Sequence, residues 1–386
     1  MSASGARRHG IVLVGGGHAH VQVMTRMAAA QRSGIPLTLI ARDLDTPYSG
    51  MLPGHVAGLY RRDEIHIDLV RLAAATGTRL IHAAANGIDR AARTVRLEGH
   101  PPVAYDLLSI DVGITPDLSE MAGADRHAVA VKPIGGFLDR LEALRAAAAR
   151  PDGPRRIVVI GGGAAGVELV LALHARLRAD AAAAGRDPDG FAFALVTAAP
   201  LVPTLNAGIR RRVARALAAR GIAVHGEARV VAIEPDHVRT AAGAAIAADA
   251  VLVSTRARAP AWLATTGLAL APDGSVAVGP TLQSLTDPTI LAAGDCAAMV
   301  ASPREKAGVF AVRQGPILAE NLIALARGTP LRDYRPQRRF LVLIATADGR
   351  AIGGRGPWLA FEGRWVWAWK DHIDRRFLRT FTDFTA

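Results

Sequence analysis

The sequence predicts an α/β chain with two doubly wound units and a C-terminal region of different, α+β character. Two observations carry this. One strand–turn–helix motif occurs twice, about 146 residues apart, and the character of the chain changes from residue 331 onward. The 386 residues suffice for two or three domains. Half of them are apolar, which supplies sizeable cores and excludes a disordered chain.

The first motif, residues 10–20, reads GIVLVGGGHAH, a short apolar run, a glycine cluster and then a helical pattern through Val21, Val23, Met24 and Met27. A second strand, PLTLIA, follows at 36–41. The second motif, residues 156–166, reads RIVVIGGGAAG, with a helix through Val167, Leu169, Leu171 and Leu173 to about Leu177 and a following strand FALVTA at 193–198. Pro/Gly/Arg-rich ARPDGPRRI, ending at Ile157, marks a boundary before the second unit, and DAAAAGRDPDG at 180–190 reads as a loop insertion. ARTVRL, YDLLSIDVG, ARVVAIE, ADAVLVST and GSVAV read as short strands. The stretch from LVLIATADGR to RWVWAW reads as a strand meander, and the period-two tryptophans Trp365, Trp367 and Trp369 place its end in a strand, leaving 372–386 for a short basic helix.

The net charge of +12 and pI near 11.0 suggest nucleic acid or an anionic membrane at first sight. Lysine occurs only at Lys132, Lys306 and Lys370, however, and arginine with abundant alanine reads as compositional bias, so no nucleic-acid partner is expected. The lone Cys296 excludes a disulfide framework, a cysteine zinc site and a redox cysteine pair within one chain. His55, His66 and His82 show no metal-ligand spacing, so no metal is expected. The N-terminus lacks a signal peptide's apolar core, and no apolar run approaches the roughly 20 residues of a membrane span. A cytoplasmic protein is expected, one that at most rests on a membrane.

Glycines in a dinucleotide-binding turn permit a tight bend, close approach of the pyrophosphate and close helix–strand packing, while the helix N-terminus donates N–H groups to the phosphates. Gly161, Gly163 and Gly166, with Ala164 and Ala165 between them, satisfy this fully. In the first unit Gly15, Gly16 and Gly17 fit, followed by His18 and Ala19, but His20 stands where the third glycine belongs, either to approach a phosphate or to pack on the strand. An acid ending the next strand binds the adenosine ribose. Asp43, after Arg42, is the candidate in the first unit, and the second has Thr197 there with no acid and no adjacent arginine.

Three further segments resemble the pyridine-nucleotide-dependent FAD oxidoreductases: YDLLSIDVGITP at 105–116, LAAGDCA at 291–297, and GGGAAGVEL with Glu168 directly after the glycines. The resemblance covers nearly the whole chain and implies two Rossmann-like domains, the second inserted in the first. The FAD-binding domain would comprise 1–115 and 270–330, the NAD(P)-binding domain 116–269, and the C-terminal region 331–386. GGGHAHV, DLDTPYSGMLPG, VKPI and FEGRWVWAWKDHIDRRF are similar to the flavoprotein module fused in some bacteria to selenide, water dikinase, whose kinase module is missing after FTDFTA. More distantly, the chain is similar to type II NADH:quinone oxidoreductases.

The resemblance implies FAD as cofactor and NAD(P)H as co-substrate. Asp295 after Gly294 would hold a ribityl hydroxyl, Val112 and Gly113 would lie at the crossover between domains, and the loop Tyr48, Ser49, Gly50, Met51 and Leu52 would pass the flavin ring. Glu168 would lie near the nicotinamide, Lys132 on the flavin side, and Gln314 beside a quinone, although Val309 stands where a first glutamine is expected. The acceptor is expected to be a quinone or another small molecule, with the aromatic and basic C-terminus on the cytoplasmic face of the inner membrane. A homodimer stays open. So does a second role, as a flavin-binding accessory or regulatory redox module for selenium metabolism with little turnover.

Overall fold

The strand Ile11–Val14 is buried along its whole length, as a central parallel strand covered on both faces must be. In the computed structural model, which describes residues 9–32, 34–255 and 257–384, it pairs in parallel with Leu37–Ala41 on one side and Leu107–Ile110 on the other. Arg79–His82 extends the sheet beyond Leu37–Ala41, and Ile290–Ala292 returns from 180 residues downstream to pair with Leu107–Ile110. The chain therefore leaves this sheet after Ile110 and re-enters it at Ile290, so the second unit is inserted in the first. The second parallel sheet runs in the order Ala128–Ala130, Ala250–Val253, Arg156–Ile160, Ala192–Val196, Ala223–His225. Each unit also carries a three-stranded antiparallel sheet, Ala85–Asp89 to His100–Ala104 in the first and Val230–Ile233 to Ala245–Ala247 in the second. Residues 1–8, read above as lacking a signal peptide's apolar core, lie outside the described residues.

Four sequence expectations need correction. The helix Ala164–Ala183 runs on into the segment read as a loop, because DAAAA is strongly helix-forming and Asp180 is held by Arg145 and Arg176. Its end comes at Gly185, in the left-handed region with φ +68. Gly294–Cys296 is a single 3₁₀ turn leading into the short strand Ala297–Met299, and the helix expected there begins only at Gly308. The third correction concerns the C-terminus, where Leu341–Ala345, Ala351–Arg355 and Leu359–Gly363 form the antiparallel meander but the tryptophans lie on a helix, Arg364–Thr382. Val366, Lys370, Asp374, Leu378 and Phe381 are its buried stripe, spaced at three and four. Trp365 and Trp369 stack one turn apart on the exposed face, and Trp367 stacks on Tyr60 on the other side. The W-x-W-x-W spacing satisfies a strand and a helix equally, and burial of the 366–370–374 stripe decides for the helix.

The fourth correction is that Gly308–Arg327 does meet the length and apolarity of a membrane span. It is half buried, and it packs on the first helix, His18–Arg32, where Gln22 donates to the Val312 carbonyl at 2.7 Å. Asn321 is fully buried and bridges the carbonyls of Thr281 and Arg332. These contacts make it a core helix of the first unit.

Candidate functional site

The turn after Ile11–Val14 is built around a buried acid that the sequence reading passed over, Asp111. Gly15 has φ +97, with the Asp111 carbonyl where a Cβ would stand. The Asp111 carboxylate lies against Gly17 and Gly294, and a side chain at either would collide with it. Its Oδ2 accepts the Ala19 N–H at 2.9 Å and the His20 N–H at 3.3 Å, so it caps the first helix from 92 residues away. One carboxylate thus ties together both glycine turns of the first unit. Burial pushes it up to about 7, two backbone N–H groups pull it back, and the nearby Asp295 charge pushes it further up.

His20 packs rather than reaching a phosphate. It is fully buried, with Nδ1 2.7 Å from the Gly15 carbonyl and Nε2 2.8 Å from the Ser109 hydroxyl, and burial pushes it down to about 4. The neutral ring fills the place of the third glycine. His18 is different. Burial lowers its pKa, its ring meets Tyr48 edge-on at 5.3 Å, and its Nε2 is buried with no protein partner among the described residues. Near it, Lys132 donates to Asp295 Oδ2 at 2.7 Å across the boundary between the units. Gln314 does not face outward toward an acceptor: its Oε1 accepts the Gly294 N–H at 2.7 Å and so holds the turn that carries Asp295.

The loop of Tyr48, Ser49, Gly50, Met51 and Leu52 is fixed from the C-terminus. Lys370 donates to the Gly50 carbonyl and, at 2.7 Å, to Asp374, and both side chains are buried. Burial, with the Asp374 charge nearby, holds the Tyr48 hydroxyl well above the usual phenol range. Phe377 packs on the Tyr48 ring at 4.8 Å, and Ser49 approaches Gly308 at the start of the long helix. Arg42 and Asp43 stand apart from this, in an exposed ion pair of 2.9 Å at the end of their strand.

In the inserted unit Gly161 has φ +127, with the Ser254 carbonyl where its side chain would be, and Gly166 packs directly on the Gly161 carbonyl. Gly163 is the N-cap of Ala164–Ala183. Thr197 is buried against Gly162 and donates to the Ala199 carbonyl at 2.8 Å. Beside the turn, Thr255 Oγ1 is buried without a partner among the described residues. Glu168, one turn into the helix, accepts the Ala345 N–H at 2.7 Å, so the C-terminal meander reaches the second dinucleotide turn. Burial pushes Glu168 up to about 7, while Lys370 and the Ala345 N–H draw it down.

Both units therefore present a glycine cradle that side chains cannot enter, a helix N-terminus, and one buried polar atom without a protein partner. That set fits two bound dinucleotides. The family model described as pyridine nucleotide-disulphide oxidoreductase matches residues 9–320. The chain belongs to this family. Its members are FAD-binding oxidoreductases that use NAD(P)H as co-substrate. The type II NADH:quinone oxidoreductase of Haemophilus influenzae is 30% identical over 226 residues, covering 54% of this chain and 50% of the relative, so the match spans half of that relative's length. Among solved structures, the sulfide:quinone oxidoreductase of Aquifex aeolicus superposes with TM-score 0.79 at 20% identity, over 97% of this chain and 91% of that one. The water-forming NADH oxidase of Lactobacillus brevis, bound to NADH, gives 0.71 at 20% identity, over 90% and 75%. The sequence holds a single cysteine. Cys296 is buried, donates to the Ala293 carbonyl at 3.3 Å, and burial pushes its thiol up to about 12, which disfavours the thiolate.

Proposed function

We propose that the protein takes electrons from a nicotinamide dinucleotide at the inserted unit and passes them through FAD, held by the first unit, to a quinone. The observation that supports this most is the pair of glycine cradles, with His18 beside the Lys132–Asp295 pair in one and Thr255 and Glu168 at the other. Bound FAD supplies the hydride-accepting and electron-donating chemistry. The protein's own residues do the rest. The Gly15–Gly17 turn and the first helix would receive the diphosphate and Asp295 would accept from a ribityl hydroxyl, while Gln314 and Asp111 keep the Gly294 turn in place. Lys370 fixes the 48–52 loop through the Gly50 carbonyl. Glu168, poised near neutrality, holds or releases a proton at the contact between the inserted unit and the C-terminal meander.

A quinone partner agrees with the C-terminal surface. Trp365, Trp369 and Ile373 are exposed on one helix face, Trp358 is 91% exposed at the hairpin tip, and Arg364, Arg376 and Arg379 are exposed on the same helix. Large aromatics with cations suit peripheral contact with an anionic leaflet on the cytoplasmic face. A second reading, a flavin-binding accessory module for selenium metabolism with little turnover, is favoured by one observation: the Thr197 hydroxyl is spent on Ala199, and no acid stands there for the ribose. Anaerobic addition of NADH or NADPH to the yellow holoprotein separates the two. Bleaching within seconds supports the oxidoreductase, and an unchanged flavin spectrum with both nucleotides supports the accessory module.

A further inference from the structure

The inserted unit has no cation beside Thr197, because the loop that follows reads AAPLVPTLN at 198–206. The cations stand elsewhere. This loop folds back on the glycine turn, with the Val202 N–H donating to the Gly162 carbonyl at 2.8 Å and the Leu205 N–H to Val202 at 3.0 Å. Thr204, between them, forms one wall of a cleft of about 450 Å³. The opposite walls come from the C-terminal region, with Arg338, Arg339, Phe340 and Arg355, and Glu305 is the one acid in the lining.

None of these three arginines has a side-chain hydrogen bond or an ion pair among the described residues. Their neighbours do: Arg212 and Arg215 pair with Glu362, and Arg220 pairs with Asp348. Three exposed, unpaired guanidinium groups against one carboxylate make the cleft cationic. Guanidinium forks match the oxygens of a phosphate monoester, and Phe340 adds a ring beside them on which a base can stack. Thr204, Leu205 and Asn206 of the cleft belong to the loop that follows Thr197 and is tied to the glycine turn through Val202.

We propose that this cleft is the adenosine 2′-phosphate subsite, and that Arg338, Arg339 and Arg355 make the protein select NADPH over NADH. Selectivity would then come from the C-terminal region, more than 130 residues away from the fingerprint it serves. The proposal rests on the inserted unit binding a nicotinamide dinucleotide.

The test uses holoprotein and calorimetric titration with 2′,5′-ADP, 5′-AMP and inorganic phosphate, together with anaerobic flavin reduction by NADPH and NADH. The wild type is expected to bind 2′,5′-ADP at least about 10-fold tighter than 5′-AMP, and the variant carrying R338A, R339A and R355A to lose that margin. The same variant should raise the NADPH concentration for half-maximal reduction about 10- to 100-fold and leave NADH unchanged. The three side chains are exposed, so the variant should fold. Equal binding of 2′,5′-ADP and 5′-AMP by the wild type, with NADH still reducing the flavin, overturns the subsite alone. Equal weakening of NADPH and NADH in the variant does the same. Inorganic phosphate as tight as 2′,5′-ADP makes this a free-anion site and overturns the assignment. If neither nucleotide reduces the flavin, the dinucleotide reading falls first, and this proposal with it.

Discussion

Asp111 decides how the first dinucleotide turn is held, and it also sets a pH dependence. Its carboxyl and that of Glu168 both rise from about 4 in the unfolded chain to about 7 when folded. Below pH 4 both states carry the protons, so the folded state has its full advantage there. Between pH 4 and 7 only the folded state keeps them, so their contribution to stability falls as pH rises and levels off above 7. Asp111→Asn and Glu168→Gln should each be more stable relative to wild type at pH 8 than at pH 4.5, as read by denaturant midpoints at both pH values. An unchanged difference between the two pH values would show that the acid in question is charged throughout. Asp111→Asn should also retain flavin, since the amide oxygen still accepts from Ala19 and His20 and no charge faces the diphosphate. The Gly-Asp pair at 294–295 was singled out through the resemblance of LAAGDCA to a flavin-binding segment. Asp111 was not, because in sequence it is one acid inside an apolar run, and only the return of the chain at Ile290 sets it against both Gly17 and Gly294. A lone acid in a strand that is buried on both faces was the available signal.

The C-terminal helix shows where reading by period fails at the scale of an element. Its tryptophans fit two periods at once, and the buried partners that decide between them, Gly50 and Tyr48, lie more than 300 residues away in sequence. Lys370 and Asp374 form a buried ion pair one helical turn apart, and removing one partner leaves an uncompensated charge. Lys370→Met should therefore destabilise the protein by about 3–5 kcal/mol, and Lys370→Met with Asp374→Leu should recover most of the loss, both read by urea unfolding. A single-variant cost under about 1 kcal/mol would mean that the pair does not anchor the 48–52 loop. The two glycine-turn units, by contrast, were legible at this scale, because a short apolar strand, a glycine cluster and a helical stripe are all local signals.

Across the whole molecule, the C-terminal region touches both units beside the candidate sites. It fixes the flavin-side loop through Lys370, reaches Glu168 through Ala345, and walls the arginine cleft. Its exposed Trp365 and Trp369 should carry the protein onto anionic liposomes at low salt. Replacing both with serine should abolish flotation without changing the flavin spectrum, and flotation unaffected by the double replacement would remove the membrane contact from the account. The central claim is electron transfer from nicotinamide dinucleotide through FAD to a quinone, and a double-mixing experiment tests it most directly. Holoprotein is first bleached anaerobically with one equivalent of NADPH, then mixed with a soluble quinone while absorbance near ~450 nm is followed. The account predicts that the absorbance returns at a rate proportional to quinone concentration, and a flavin that stays bleached at every quinone concentration would contradict it.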